Sequence, residues 1–277
     1  MDIRKLYKNL LKNGFFHIFS ANVINKFVLF GTSFILVHTL SKEDYGNWAY
    51  AMNNISFFLL FSGLGVNNGL LYYGALTEDR NKRQSLFKFS LNFGFIFNII
   101  IAVILLISTY VLDSPLEGSR VILRYLSLLP LYYIVIEIFQ AYLRSELKNR
   151  EFSLLINVNS IILFVFILLG ALFYSLKGIV LAHYLAYSLS ILFAILLCKK
   201  DWNHFENRYI LPKNLRREFV NYSFICSLTN SISSVLYLLD IFLIGIMIKD
   251  ANILASYKTA TIIPFALNFI PLSIMIF

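Results

Sequence analysis

Lysine is rare where a helix crosses a bilayer, and Lys26 stands within SANVINKFVLFGTSFILVHTL, residues 20–40, an apolar run long enough to span one. The same run carries Asn22, Asn25, Thr32 and Ser33. At about 100° per residue the five polar positions fall within roughly a third of a helix circumference, and Phe, Val, Leu and Ile take the rest. Such a wall must face protein or water, because a lysine near membrane depth costs about 2.5 to 3.5 kcal/mol on insertion scales. The chemistry on offer is recognition of an anionic head group by a cavity cation, with amides and hydroxyls beside it to hydrogen-bond polar substituents. The competing reading is a lysine that snorkels to the interface or is paired structurally.

The wall has a counterpart near the other end of the chain. Laying Asn22 over Asn230 places Asn25 on Ser233, Lys26 on Ser234, Leu29 on Tyr237 and Thr32 on Asp240. With one residue of slip, residues 45–51 fall on residues 254–260. Transporters built from two related bundles with a site at their interface leave this trace; the alternative is that two polar-striped membrane helices align through composition alone. On the repeat reading Asn230 and Ser234 join Asn22, Asn25 and Lys26 as cavity residues. Asp240 then either pairs with Lys26 across the bundles, takes part in ion coupling, or does both. A buried pair of that kind holds one conformation closed until substrate or ion competes.

Other residues extend the set. Glu137, Gln140 and Arg144 share one face of an apolar segment, with Tyr133 a turn earlier. Glu137 is the deeper acid and suits a proton or sodium site, or else forms an interfacial network with Arg144. Lys258, flanked by Tyr257 and Thr259, points to a cavity or to the outer interface. Pro264 and Pro271 remove backbone donors and kink their segment, as in the moving elements of transporters. His38 and His183 stand alone and read as packed residues. Cys198 and Cys226 give neither CxxC spacing nor a disulfide framework, so no metal site and no cofactor is expected. There is no GxSxG, P-loop or HExxH, and no outward segment large enough to house a catalytic site, so the chain reads as something other than an enzyme.

These side chains need helices to position them. Hydrophobic residues make up 58% of the 277 and charged ones 14%, with mean hydropathy +0.72, which takes the chain outside the soluble class. Apolar segments of about 20 to 30 residues, rather than short alternating ones, indicate helices and not a barrel. The expected fold is an all-α polytopic membrane protein of about eight helices. They are placed at 15–40, 48–73, 89–112, 121–143, 152–176, 178–198, 219–248 and from 253 onward. Gly63, Gly65, Asn67, Asn68 and Gly69 interrupt the second, as a hinge or as a place of close packing. Lys177 and Gly178 alone join the fifth and sixth, which makes them a tight antiparallel pair. Residues 1–198 are expected to form a six-helix lobe, 199–218 a linker and 219–277 the first two helices of a second, pseudo-repeated lobe, so the chain reads as truncated.

The basic excess follows topology. Lys and Arg concentrate before residue 15, at 80–88, at 144–150 and at 199–217, whereas Lys42, Arg120, Arg124, Lys177 and Lys249 lie on the opposite side. By the positive-inside rule the N-terminus and the linker are cytoplasmic, in a multi-pass protein of the cell inner membrane, and the first helix serves as its own signal. The net charge of +9 is then explained by topology and by attraction to anionic lipid at about 1 kcal/mol per cation, and needs no nucleic acid.

Three stretches carry a resemblance: LYKNLLKNGFFHIFSANVINKFVLFGTSFILVHTLSKEDYGNWAYAM at the start, QAYLRSELKNREFSLL at 140–155 and LASYKTATIIPFAL at 254–267. Together they resemble the polysaccharide-biosynthesis flippases, the O-antigen and capsule oligosaccharide flippases, of the superfamily that includes the multidrug and toxin extrusion transporters. LSKEDYGNW, residues 40–48, is the most telling piece. The resemblance implies two lobes of about twelve or more helices in all, and alternating access that carries an undecaprenyl-diphosphate-linked oligosaccharide from inner to outer leaflet. It implies cavity cations on the first helix and on the second helix of the second lobe, where Lys26 and Lys258 stand. Lysine here replaces the arginine often seen in that family, so the phosphate grip is a point charge rather than a bidentate fork. Implied partners are the lipid-linked oligosaccharide, membrane lipids and polysaccharide polymerase or assembly proteins. Two other classes compete. An ion-coupled drug or cation antiporter of the extrusion family would want carboxylates where the first helix carries a lysine. A membrane enzyme that polymerises or ligates glycans would need a substantial outward loop.

Overall fold

A computed structural model describes residues 15–202 and 210–267. Expectations for Arg4, Lys5, Lys8, Lys12, Arg208 and Pro271 lie outside the described residues. Among those described, nine α-helices and one 3-10 turn follow in order. They are α1 (Phe15–Thr39), α2 (Lys42–Leu59), a 3-10 turn (Ser62–Gly65), α3 (Val66–Leu76), α4 (Arg80–Val111) and α5 (Glu117–Tyr125). After these come α6 (Leu129–Ser145), α7 (Asn149–Trp202), α8 (Lys213–Ile248) and α9 (Ala251–Leu267). Five spans are long and apolar enough to cross a membrane, with α2 and α3 counted as one, and six if the bent pair α5 and α6 is a further one. The chain is thus an all-α polytopic membrane protein.

Two of the expected helices, the second and the fourth, are broken, each for a local reason, and the reversal between the fifth and sixth falls at Ser175. The second ends at Leu59, because Gly63, Leu64 and Gly65 take left-handed backbone angles (φ 54°, 50° and 72°) before α3 resumes. A side chain is disfavoured at such angles, and the two glycines meet that requirement. The fourth is two helices, α5 and α6, meeting at 54° across residues 126–128, with Pro130 in the first turn of α6 where its missing N–H costs nothing. The fifth and sixth form α7, whose 54 residues fold back at Ser175 (φ 49°, ψ −135°), just before Lys177 and Gly178. Gly178 provides close approach rather than the turn. A Cβ on Gly170 would lie 2.5 Å from the Gly178 carbonyl oxygen, whereas eight residues of straight helix would separate the two by about 12 Å.

Side-chain periodicity sets what each helix buries. On α4, Phe87, Ser90, Gly94, Asn98, Ile101, Leu105 and Thr109 are buried at helical spacing, while Ile96, Ile100, Val103 and Ile107 are exposed, as a helix with one lipid face requires. The apolar core falls into two principal clusters. One includes Leu40, Tyr45, Leu123, Leu126 and Ile179, near the end where α1 turns into α2. The other includes Leu86, Leu143, Phe152, Cys198 and Phe219, at the opposite helix ends. Tyr50, Ile241 and Leu254 belong to a smaller cluster where α8 and α9 dock on α2. Polar side chains gather where the two main clusters meet, and they build the site.

Candidate functional site

Asn25, Asn98, Glu137 and Asn230 each stand near the middle of a helix. Asn98 does so on α4: its Oδ1 accepts from the Gly63 N–H at 2.7 Å, and its Nδ2 donates to Pro130 O at 2.7 Å and Ser62 Oγ at 3.1 Å. The break therefore has its freed amide satisfied by a side chain from α4. Its freed carbonyl is met from the other side. Leu60 O, which a continuing helix would have paired with Leu64 N–H, accepts from Ser227 Oγ at 3.0 Å and Ser231 Oγ at 3.1 Å on α8. With no water in the bilayer core to do this, a broken helix needs such partners.

Glu137, at the centre of α6, lines two cavities at once. The larger, of about 480 Å³, lies between α1, α2, α6 and α7 and is lined by Asn25, Thr32, Glu137, Gln140, Asn159 and Ser160, with Tyr133, His183 and Tyr187 among its aromatic and ring contributors. Ser160 Oγ donates to Asn25 Oδ1 at 2.5 Å, which fixes α1 against α7, and the buried Asn159 Oδ1 has no hydrogen-bond partner among the described residues. His183 Nδ1 lies 2.9 Å from Ile179 O and must donate to it, so the ring's acceptor is Nε2 in the neutral form. The smaller cavity, of about 180 Å³, lies under the helix break and is lined by Ser62, Asn67, Asn68, Asn230, Ser234 and Glu137. Glu137 forms no ion pair or hydrogen bond among the described residues, and Arg144 stacks instead on Phe152 at 5.4 Å.

A third cavity, of about 310 Å³, separates α1 and α2 from α8 and α9. Lys258 lines it together with Ser33, Asn53, Ser56, Trp48 and Tyr237, and the cavity shares Leu36, Trp48 and Met52 with the 480 Å³ cavity beside Glu137. Lys258 is half-buried, and Asp240 acts on it electrostatically. Asp240 Oδ2 accepts from Tyr257 Oη at 2.7 Å, so this acid is engaged with α9 and not with Lys26. Lys26 is exposed and makes no ion pair among the described residues; neither it nor Asn22 lines a described cavity. Both nonetheless lie on the helical stripe that leads to Ser33, Lys26 seven residues or about 10 Å from it.

Of the expected cavity residues, Asn25, Asn230, Ser234 and Lys258 line described cavities, and Glu137, expected as an ion or proton site, lines two. Sequence reasoning missed Asn98, Asn67, Asn68, Asn159 and Ser160, and the paired serines Ser227 and Ser231. Their signal was present as single amides and hydroxyls inside apolar runs. It also missed a bracket at the other end of α6. There Arg83 donates to Glu146 Oε1 at 2.8 Å and to the carbonyls of Gly74 and Thr77 at 2.7 and 2.5 Å, tying the α3–α4 connection to the end of α6.

Comparison with known proteins agrees with this architecture. A solved structure described as a crystal structure of MATE in complex with Br-NRF superposes with a TM-score of 0.62 at 17% sequence identity, covering 82% of this chain and 55% of that one. The fold is shared, and the chain spans about half the length of that relative. No curated protein matches the sequence significantly. The family model described as polysaccharide biosynthesis protein matches residues 10–275, nearly the whole chain. The chain with its polar mid-membrane layer thus belongs to the polysaccharide biosynthesis protein family.

Proposed function

We propose that the protein is a flippase moving an undecaprenyl-diphosphate-linked oligosaccharide from the inner to the outer leaflet of the cell inner membrane by alternating access, with its N-terminus cytoplasmic. The observation that carries this reading is Lys258, a half-buried cation in a cavity whose polar and aromatic lining includes Ser33, Asn53, Ser56, Tyr237 and the Trp48 ring. Phosphate calls for the cation; sugar hydroxyls call for amides, hydroxyls and an aromatic face. Lys26 serves as the second cation and Asn22 as a further donor, on the α1 stripe that runs to Ser33. Asn25, Asn230 and Ser234 hydrogen-bond sugar hydroxyls from the adjoining cavities, and Glu137 or Asp240 couples the cycle to an ion or to the membrane potential. Residues 1–198 and 219 onward act as two lobes joined by 199–218, and polymerase or assembly proteins take the product. Membership of a polysaccharide biosynthesis family supports the substrate class, and the shared fold supports transport over catalysis.

The test is replacement of Lys258 in the host. Lys258→Ala is expected to abolish surface polysaccharide at normal protein abundance, while Lys258→Arg retains it; normal export by Lys258→Ala overturns the assignment. An antiporter of cations or drugs is the second reading, and it rests on Glu137, a lone carboxylate between two cavities. Loss of cation efflux with unchanged surface polysaccharide in a Glu137→Gln strain would favour it.

A further inference from the structure

Apart from the three cavities described, α2, α4, α5 and α8 enclose a cavity of about 700 Å³ at the end of the molecule where α8 turns into α9. Its long walls all grade from polar at the mouth to apolar at the floor. On α8, Lys249 stands at the mouth and Ile246 and Phe242 follow below it. On α4, Thr109 and Ser108 precede Leu105; on α2, Tyr50 and Asn54 precede Phe57 and Phe58. The Phe57 and Phe242 rings meet edge to face at 5.3 Å and close the floor between α2 and α8.

The mouth is basic and is built for it. Lys249 is exposed, caps α8 in a left-handed conformation (φ 55°), and makes no ion pair among the described residues. Arg120 is held by two carbonyls at the end of α4: its Nε donates to Thr109 O at 2.6 Å and a terminal nitrogen to Tyr110 O at 3.2 Å. Asp113 is the one acid on the rim, and it leaves a net positive charge there. The side is open to lipid, since Leu112 is 64% and Ile246 40% exposed.

We propose that this cavity binds one anionic glycerophospholipid, its phosphate at Lys249 and Arg120 and an acyl chain along Phe57, Phe242, Ile246 and Leu105. Charge complementarity selects the phosphate, and a charged mouth at the helix ends over an apolar floor matches the polarity gradient of a bilayer leaflet. The volume is that of a small-ligand site. A lipid held there joins α2, α4 and α5 to α8, and so bridges the two sides of the Lys258 cavity without entering it.

The test is native mass spectrometry of the full chain in detergent with equimolar phosphatidylglycerol and phosphatidylcholine. Wild-type protein is expected to retain phosphatidylglycerol preferentially, and Lys249→Gln to reduce that preference about fivefold, the factor one cation gives at an anionic lipid surface. Ile246→Trp, which fills the floor, is expected to lower retention of both lipids. Equal retention of the two lipids by the wild type, an unchanged preference in Lys249→Gln, or preferential retention of a polyprenyl phosphate from a mixture would each overturn the proposal.

Discussion

At the residue scale, the chemistry rests on polar side chains that the bilayer makes expensive. Glu137 is a carboxylate between two cavities with no ion pair or hydrogen bond among the described residues, and an arrangement of that kind is kept at a cost to stability. Glu137→Gln is therefore expected to leave the thermal midpoint of purified protein unchanged or higher while export falls at least tenfold. A lowered midpoint would show Glu137 to be structural. Lys258 differs, because Asp240 and Tyr257 stand beside it. Asp240→Asn is expected to lower stability by about 1 to 3 kcal/mol in thermal unfolding, through loss of the charged acceptor for Tyr257 Oη. Glu137 and Lys258 were legible in the sequence because a charge in an apolar run has few innocent explanations. Lys26 met the same criterion, yet its place at the exposed end of a stripe could not be read, since periodicity gives a face and not what that face meets.

At the element scale, the break between α2 and α3 is the organising feature. Both sides of it are tied down, by Asn98 from α4 and by Ser227 and Ser231 from α8. Asn98→Ala leaves the Gly63 amide unpaired and is expected to cost about 1 to 3 kcal/mol, measured as a lowered unfolding midpoint in detergent. Ser227→Ala with Ser231→Ala removes both α8 donors to Leu60 O and the Ser231 Oγ bond to Ser227 O, and it is expected to lower the unfolding midpoint in detergent, as Asn98→Ala does from the other side of the break. Gly69 packs so closely on Ser223 that an added Cβ has no room, and Gly69→Ala is expected to destabilise by about 1 to 3 kcal/mol through overpacking. The glycine cluster of residues 63–69 was visible in the sequence as either hinge or packing, and it divides into both: Gly63 and Gly65 make the turn, Gly69 the contact. The bend between α5 and α6 was not visible, because Leu126 and Leu128 keep the apolar run continuous across it. Hydropathy reads burial, not direction.

At the scale of the whole molecule, two apolar clusters sandwich a polar layer that holds Asn25, Asn98, Glu137 and Asn230, each near the middle of its helix, together with Asn159. A site at mid-membrane between two halves is what alternating access requires, since both sides must reach it in turn. The packing of α2 along α9, where Gly46 meets the Ala251 carbonyl, brings residues 45–51 and the segment that begins at Leu254 onto neighbouring helices. All-helical membrane character was legible from composition and segment length alone. The meeting of helices distant in sequence was not, since Asn53 on α2 bonds Leu238 O on α8 at 3.0 Å through a contact no local pattern encodes. The flippase reading is tested most directly by deleting the gene in a host without a redundant flippase and measuring the membrane face on which lipid-linked glycan accumulates. The account predicts complete lipid-linked units on the cytoplasmic face and loss of surface polysaccharide, both reversed by the wild-type gene and not by one encoding Lys258→Ala. Unchanged lipid-linked pools and unchanged surface polysaccharide would contradict it.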